Sequence, residues 1–228
     1  MAALWRYPVK SMAAEALDAA EVSWDGLAGD RRWAFVRPGL ERSDFPWMTI
    51  RQRGDMGHFR PSFLDPGRPD ASRTMVSSPA GEERDVLDPA LAAELGEGVR
   101  LIKQNRGVFD AMPLSLITTQ TIAALGAWVG VELDALRFRP NLLVEAAGGA
   151  PFREDEWVGS VLLVGAMRMR VDQRDERCVV VTVDPVTTER DPSILRAIAR
   201  RRDSCLGVYG STVAPGRVAV GDTVAIEA

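Results

Sequence analysis

Apolar and polar positions change over in short runs along this chain, and most runs are too short for helices. Residues 4–9, 21–24 and 32–36 read as strands, the last two joined by Asp25-Gly26-Leu27-Ala28-Gly29-Asp30, a turn rich in residues that tolerate positive φ. Further strands are predicted at 48–51, 59–64, 73–77, 83–87 and 99–104. Between them, Asp88-Pro89 supplies an N-cap and a proline at the first helical position, and Gly96 a C-cap, so 89–95 reads as a short helix.

The second half is read in the same way. Thr118 or Thr119 caps a helix whose apolar face is Ile122, Leu125, Trp128 and Val129, and Gly130 stops it. Residues 136–144 carry a strand whose first part Pro140 confines to an edge or bulge, and 161–171 is a strand hairpinned against a neighbour. Asp191-Pro192 opens a helix through Ile194, Leu195 and Ile198 that ends in Arg200-Arg201-Arg202, where cations complement the helix C-terminus. Strands at 208–211 and 218–226 close the chain. Within 175–185 a charged loop runs into Cys178-Val179-Val180-Val181-Thr182-Val183, which reads as a strand buried on both faces. Alternation then places Cys178, Val180 and Thr182 on one side.

Many short strands with few helices predict a mainly β, α+β fold, a β-barrel with appended helices. The texture changes at Asn105-Arg106-Gly107, which sets the expected domains at 1–105 and 106–228.

Composition narrows the function classes. Hydrophobic residues are 46% and charged residues 26%, ordinary for a globular protein, and the net charge of −4 gives no global field for nucleic acid or an anionic membrane. Any bound anion needs a local cluster. The two cysteines cannot make a disulfide framework, and the chain shows no membrane span or signal segment, so a cytoplasmic protein is expected. Only Lys10 and Lys103 among the 28 Lys plus Arg are lysine, which sets Lys10 apart, either as a chosen contact or as a solvated lysine past a strand.

The chemistry gathers at few positions. Cys178, beside Arg177 and near Arg174, sits where positive charge favours a thiolate, able to ligate a soft metal or act as a nucleophile. An inert core thiol is the alternative. Cys205 lacks a motif and reads as structural, and His58, the single histidine, excludes a His-rich metal site and reads as a surface residue. Glu154-Asp155-Glu156 reads as a solvated loop, and Arg200-Arg201-Arg202 as either a solvated helix end or a dock for an acidic redox partner. Gly26, Gly29 and 54–57 lack the strand-to-helix context of a nucleotide loop.

Six motifs occur in order: Tyr7-Pro8-Val9-Lys10-Ser11, Gly29-Asp30-Arg31-Arg32-Trp33, Thr49 with Arg51-Gln52, Phe138-Arg139-Pro140-Asn141, Asp155-Glu156-Trp157 and Arg177-Cys178 through Pro185. Together they resemble the MOSC family, named after the molybdenum cofactor sulfurase C-terminus, with its N-terminal β-barrel companion. Within it the chain is similar to the amidoxime-reducing components and bacterial reductases of N-hydroxylated compounds. The resemblance implies a MOSC-type barrel after a smaller N-terminal β-rich domain, and a molybdenum cofactor (Mo-molybdopterin), with no pyridoxal phosphate. It implies Cys178 as metal ligand, and Lys10, Ser11, Arg31, Arg51, Arg139, Asn141 and Thr182 around the cofactor, whose phosphate needs charge-assisted donors. It further implies reduction of an N-hydroxylated small molecule with electrons from an external ferredoxin-, flavin- or cytochrome-type protein, and no nucleic-acid or membrane partner. A non-redox module that binds, carries or sulfurates the cofactor is the second expectation, and a barrel without cofactor, serving as an interaction domain, the third. The small, apolar loop 146–151 departs from the polar pocket of close relatives and leaves the substrate open.

Overall fold

Turn residues cut the apolar runs into the elements of the computed structural model, which describes residues 1–227. In chain order they are β1 (Ala3–Arg6), β2 (Glu15–Ala16), β3 (Ala19–Ser23), β4 (Gly26–Leu27), β5 (Trp33–Val36), β6 (Arg60–Phe63), β7 (Thr74–Ser77), β8 (Glu83–Asp85), α1 (Pro89–Leu95) and β9 (Arg100–Lys103). Then follow β10 (Leu114–Thr118), α2 (Thr119–Val129), β11 (Leu142–Val144), β12 (Val161–Val164), β13 (Met167–Glu176), α3 (Pro192–Arg202), β14 (Cys205–Ala214), β15 (Gly216–Ala219) and β16 (Val224–Ile226). The fold is mixed α+β, with several sheets and few helices.

The chain groups into two compact units. One joins Met1–Trp5 and Ala16–Leu27 to the chain from Ala111 onward. Its main sheet runs β16-β12-β13-β14-β10-β11-β1-β2, with β10 and β11 parallel and β13 antiparallel to β14. Met167, Met169 and Val171 alternate inward along β13 and pack with Leu114, Leu116, Leu162 and Val208. Burying each such side chain is worth about 1.5–3 kcal/mol. A second cluster lies under the helices: Ile122 and Leu125 of α2 and Ile194 and Ile198 of α3 meet Ile117, Phe138, Val181 and Leu206. Thr118 caps α2 by accepting from the Thr121 N–H, and Gly130 closes it at φ 79°.

The other unit comprises Arg6–Glu15 and Ala28–Asp110. It holds the β5-β9 pair and the β6-β7-β8 sheet around Val9, Met12, Phe35, Met56 and Phe59, none of which is exposed. The expected caps of α1 are present: Asp88 accepts from the Ala90 N–H, Pro89 leads, and Gly96 ends the helix.

Several expected strands fail for local reasons. At 48–51 only Trp47 bridges to Val36, and Thr49 folds a turn with Gln52, whose side-chain oxygen accepts from the Thr49 N–H and hydroxyl at 3.0 and 2.8 Å. Ahead of Pro140, Ala135–Phe138 is a 3-10 turn capped by Asp134, so the strand shrinks to Leu142–Val144. The 161–171 stretch is itself a hairpin, β12 to β13, folding at Gly165. The run after Cys178 is not a strand either: Val179–Thr182 is a 3-10 turn with Val179 exposed and Val181 and Thr182 buried, so the alternating face does not exist.

Candidate functional site

That last departure has a visible cause. The Arg137 guanidinium donates to the Val181 and Thr182 carbonyls at 3.4 and 3.2 Å, and the Thr182 hydroxyl donates to the Val179 carbonyl at 2.7 Å. The Thr182 carbonyl also accepts from the Asp191 N–H at 2.8 Å, so side chains and a loop N–H together satisfy carbonyls that a neighbouring strand would have satisfied, which frees a β-branched run from the ladder. Arg137 is also paired with Asp184 at 2.6 Å. The Thr187 and Val186 N–H groups, together with Arg137, hold the Asp184 carboxyl below the usual carboxylate range.

Cys178 therefore stands at the first residue of a turn, just beyond the end of β13, and is half-buried. Just before it in the chain, Asp175 and Arg177 form an ion pair at 2.9 Å with side chains only 1% and 6% exposed. Arg177 also donates to the Leu206 carbonyl at 2.7 Å and the Phe138 carbonyl at 2.8 Å, and lies 5.6 Å over the Phe138 ring. Both cations expected to act on Cys178 have carboxylate partners, Arg177 on Asp175 and Arg174 on Asp155.

The same network reaches the 138–141 motif. The Ser115 hydroxyl donates to Asp175 at 3.4 Å, and the Ser115 N–H donates to the Asn141 side-chain oxygen at 3.2 Å. Asn141 is buried and donates in turn to the Trp5 carbonyl at 3.2 Å, so it splices β1, β10 and β11. Arg139, half-buried, caps the 3-10 turn at φ 52° in the left-handed region. Cys178, Thr182, Arg139 and Asn141 thus belong to one connected piece of the first unit. Sequence reasoning missed Ser115, Arg137, Asp175 and Asp184 in this piece; a charged pair two residues apart, Asp175 and Arg177, next to the cysteine was the available signal.

In the second unit Lys10, only 5% exposed, donates to the Val108 carbonyl at 2.9 Å and to the Asp110 carboxylate. Arg51 reaches the other Asp110 oxygen at 3.4 Å and lies 4.7 Å over the Phe45 ring. Arg31 pairs with buried Asp30 and stacks 4.6 Å over Tyr7, and Asp30 accepts from the Tyr7 N–H at 2.7 Å. Gly29 makes the turn possible: at φ 80°, a Cβ would fall 2.6 Å from Pro69. Burial pushes the Asp110 carboxyl up, but Lys10, Arg51 and Arg31 outweigh it and leave the group below its ordinary value. The stabilisation from this pairing is present above the ordinary carboxylate range and is lost as pH falls through the lowered value. Ser11 and Arg31 have φ 67° and 49°, so they share with Arg139 a backbone that costs a non-glycine residue roughly 1–2 kcal/mol.

The remaining candidates divide. Cys205 opens β14 opposite Glu176, and burial pushes its thiol up. His58 is half-buried in a 3-10 turn rather than on the surface. Glu154 is fully buried, not solvated: it accepts from the Thr118 N–H and from the Thr118 and Thr121 hydroxyls at 3.2, 2.9 and 3.0 Å, anchoring the start of α2. Arg202 pairs with Asp155 and lies 4.1 Å over Phe152, while Arg200 and Arg201 remain exposed. Among the described residues no group of three or more His, Cys, Asp and Glu side chains could hold a metal, and no helix is long and apolar enough to cross a membrane.

Comparisons with known proteins agree with this architecture. The chain matches the family model of the MOSC N-terminal beta barrel domain over residues 1–102 and that of the MOSC domain over residues 103–225. It is similar to the molybdenum cofactor sulfurase of Drosophila grimshawi, 26% identical over 247 residues that take in 89% of this chain and 31% of that protein. It is also similar to mitochondrial amidoxime-reducing component 1 of Homo sapiens, 27% identical over 128 residues, 50% of this chain and 37% of that protein. These alignments span well under half the length of either relative. Among solved structures, the YUAD protein from Bacillus subtilis shares the fold with a TM-score of 0.54 at 14% identity, covering 97% of this chain and 91% of that one. With the two family models together running from residue 1 to 225, the protein belongs to the MOSC family.

Proposed function

We propose that this chain, read as a MOSC-type barrel with domains 1–105 and 106–228, holds a molybdenum cofactor and reduces N-hydroxylated compounds with electrons from a separate protein. The observation that carries the reading is the placement of Cys178: a half-buried thiol just past the end of β13, next in the chain to Arg177, whose buried guanidinium is tied to Asp175 and to the Leu206 and Phe138 carbonyls. Cys205, by contrast, lies in register with Glu176 within the sheet.

The donor set fits the cofactor. Among the described residues no group of three or more His, Cys, Asp and Glu side chains could hold a metal, and Cys178 would offer a soft thiolate, a donor that suits a soft metal. Lys10 and Arg51 are cations gathered about one half-exposed carboxylate, the chemistry an anion needs, and left-handed backbone at Ser11, Arg31 and Arg139 fixes those residues where a relaxed chain would not. We assign Lys10, Ser11, Arg31, Arg51, Arg139, Asn141 and Thr182 to cofactor binding. Asn141 and Thr182 serve it as positioning residues through the backbone they hold.

When bound, the cofactor supplies a centre able to take oxygen from nitrogen. The overall change breaks the N–O bond of an N-hydroxyl group, consumes two electrons and two protons and releases water. The sequence offers neither a dinucleotide fingerprint nor the four cysteines an iron–sulfur cluster usually takes, so the electrons are assigned to an external redox protein. The purified, cofactor-loaded chain is therefore expected to be inactive toward an amidoxime with NADPH alone and active with a chemical low-potential donor; robust NADPH-driven turnover by the homogeneous chain contradicts this.

A specific observation favours a second reading, a non-redox module that carries or sulfurates the cofactor: the sulfurase match extends over 89% of this chain. Turnover separates the two, since a carrier retains molybdenum but reduces no amidoxime with any donor.

The anion contacts give a graded test. Arg139→Ala is expected to weaken cofactor retention by about tenfold or more, the worth of one charged hydrogen bond. Arg201→Ala, at an exposed helix end, is expected to stay within about twofold. Equal loss in both variants, read as molybdenum retained after gel filtration, would sink the placement of the site.

A further inference from the structure

We infer that Asp110 is an internal stand-in anion: its carboxylate sits among the cations of Lys10, Arg51 and Arg31 and gives way to a phosphate group when a phosphate-bearing ligand binds. The inference rests on the reading of that cluster as the anion site of the cofactor.

Lys10 is 5% exposed, and a buried ammonium is held only against a counter-charge. The structure supplies that charge from a loop carboxylate, Asp110. Asp30 and Asp175, which pair with Arg31 and Arg177 in the same motifs, are by contrast each 1% exposed. Asp30 is moreover fixed by the Tyr7 N–H at 2.7 Å, and Asp175 lies on β13. Asp110 belongs to no strand or helix: it lies between β9 and β10, its side chain is 43% exposed, and among the described residues the hydrogen bonds it accepts come from the Lys10 and Arg51 side chains. Gly107, at φ 77°, lies three residues before it, and a Cβ there would meet the Asp30 carbonyl at 2.7 Å. The loop is thus pinned at Gly107 while its acidic tip reaches solvent.

The cations, in contrast, are held independently of Asp110. Lys10 keeps the Val108 carbonyl at 2.9 Å, Arg51 keeps the Phe45 ring at 4.7 Å, and Arg31 keeps Asp30 and the Tyr7 ring. Moving one exposed carboxylate away leaves the donors in place. A phosphate monoester brings about −1.5 to −2 charges and three acceptor oxygens where the carboxylate brings one charge and two, so it satisfies the same donors with more charge. The lowered carboxyl of Asp110 agrees with a group kept ionised by that cluster.

Full-length protein purified without cofactor is titrated with inorganic phosphate, against sodium chloride at matched ionic strength, and binding is followed by calorimetry. Asp110→Asn, which keeps the shape and removes the charge, is expected to bind phosphate about tenfold tighter than the unaltered chain. Lys10→Met in the same background is expected to abolish the gain. Equal phosphate affinity in Asp110→Asn and the unaltered chain overturns the inference and leaves a structural ion pair. Should Asp110→Asn fold poorly, the unaltered chain carries the test: phosphate, and not chloride, is expected to shift the amide signals of Val108 and Asp110, and unshifted signals overturn the exchange. Cofactor retention distinguishes the source of the phosphate. Tighter phosphate binding with longer cofactor retention in Asp110→Asn supports exchange against the cofactor. Tighter phosphate binding with unchanged retention still supports the exchange but assigns the cluster to a different phosphate ester, which counts against the cofactor reading.

Discussion

Replacing Cys178 by serine is expected to abolish amidoxime reduction and to strip most of the molybdenum from the protein. Serine keeps the size and the backbone, so the 3-10 turn Val179–Thr182, closed by Val181 N–H to the Cys178 carbonyl at 3.2 Å, stays intact. What changes is the donor atom: a hydroxyl is a hard, weakly acidic ligand where the proposed function calls for a soft thiolate. Among the described residues no group of three or more carboxylates, histidines and thiols could hold a metal in its place. A loss of activity of at least about a thousandfold is the expected scale for removing a group that touches the reacting centre. Cys205→Ser is the matched control. Its thiol is pushed up by burial and lies in register with Glu176, and activity within about twofold of the unaltered chain is expected. Equal molybdenum and equal turnover in the Cys178 variant would remove the ligand assignment.

Asp175→Ala is expected to cost the C-terminal unit about 3–5 kcal/mol of stability, the scale for stranding one member of a buried ion pair. Arg177, whose side chain is 6% exposed in the unaltered chain, would keep its guanidinium tied to the Leu206 and Phe138 carbonyls but lose its counter-charge. The Ser115 hydroxyl would lose its acceptor as well. Denaturant unfolding checks this. Double replacement by an apolar pair, Asp175→Leu with Arg177→Met, is expected to recover part of the loss, since a buried pair and a packed apolar pair of similar volume are close in stability. A loss below about 1 kcal/mol in the single variant would mean that water reaches the pair and that it does not set the backbone under Cys178.

Where local chemistry decided the outcome, the sequence was readable. Asp88-Pro89 with Gly96, Thr118 with Gly130, and Asp191-Pro192 with the arginines after Ile198 gave three helices within a residue or two, because caps act over a few residues. Short strands such as Arg60–Phe63 and Thr74–Ser77 followed from apolar runs bounded by turns. Where a distant side chain decided, it was not. Nothing near Val179-Val180-Val181 announces that Arg137 will satisfy carbonyls there, and β-branched residues taken alone predict a ladder. Glu154 looked solvated beside Asp155 and Glu156, yet it is the one of the three drawn into the start of α2 by Thr118 and Thr121. The family was legible from the motifs, and both family models match the chain. Asp110 as the partner of Lys10 was not legible, because a pairing across 100 residues leaves no periodic trace, whereas the Asp175 and Arg177 pair, two residues apart, left a signal that went unread.

The most direct measurement is the metal and pterin content of full-length protein freshly purified from a cell that makes the cofactor. Elemental analysis by mass spectrometry, with fluorescence of the oxidised pterin, reads both in one sample. The account predicts molybdenum and pterin in equal amounts, approaching one of each per chain, and their joint loss in Cys178→Ser. Protein that emerges folded but with neither, and that takes up neither when the isolated cofactor is supplied, would contradict it.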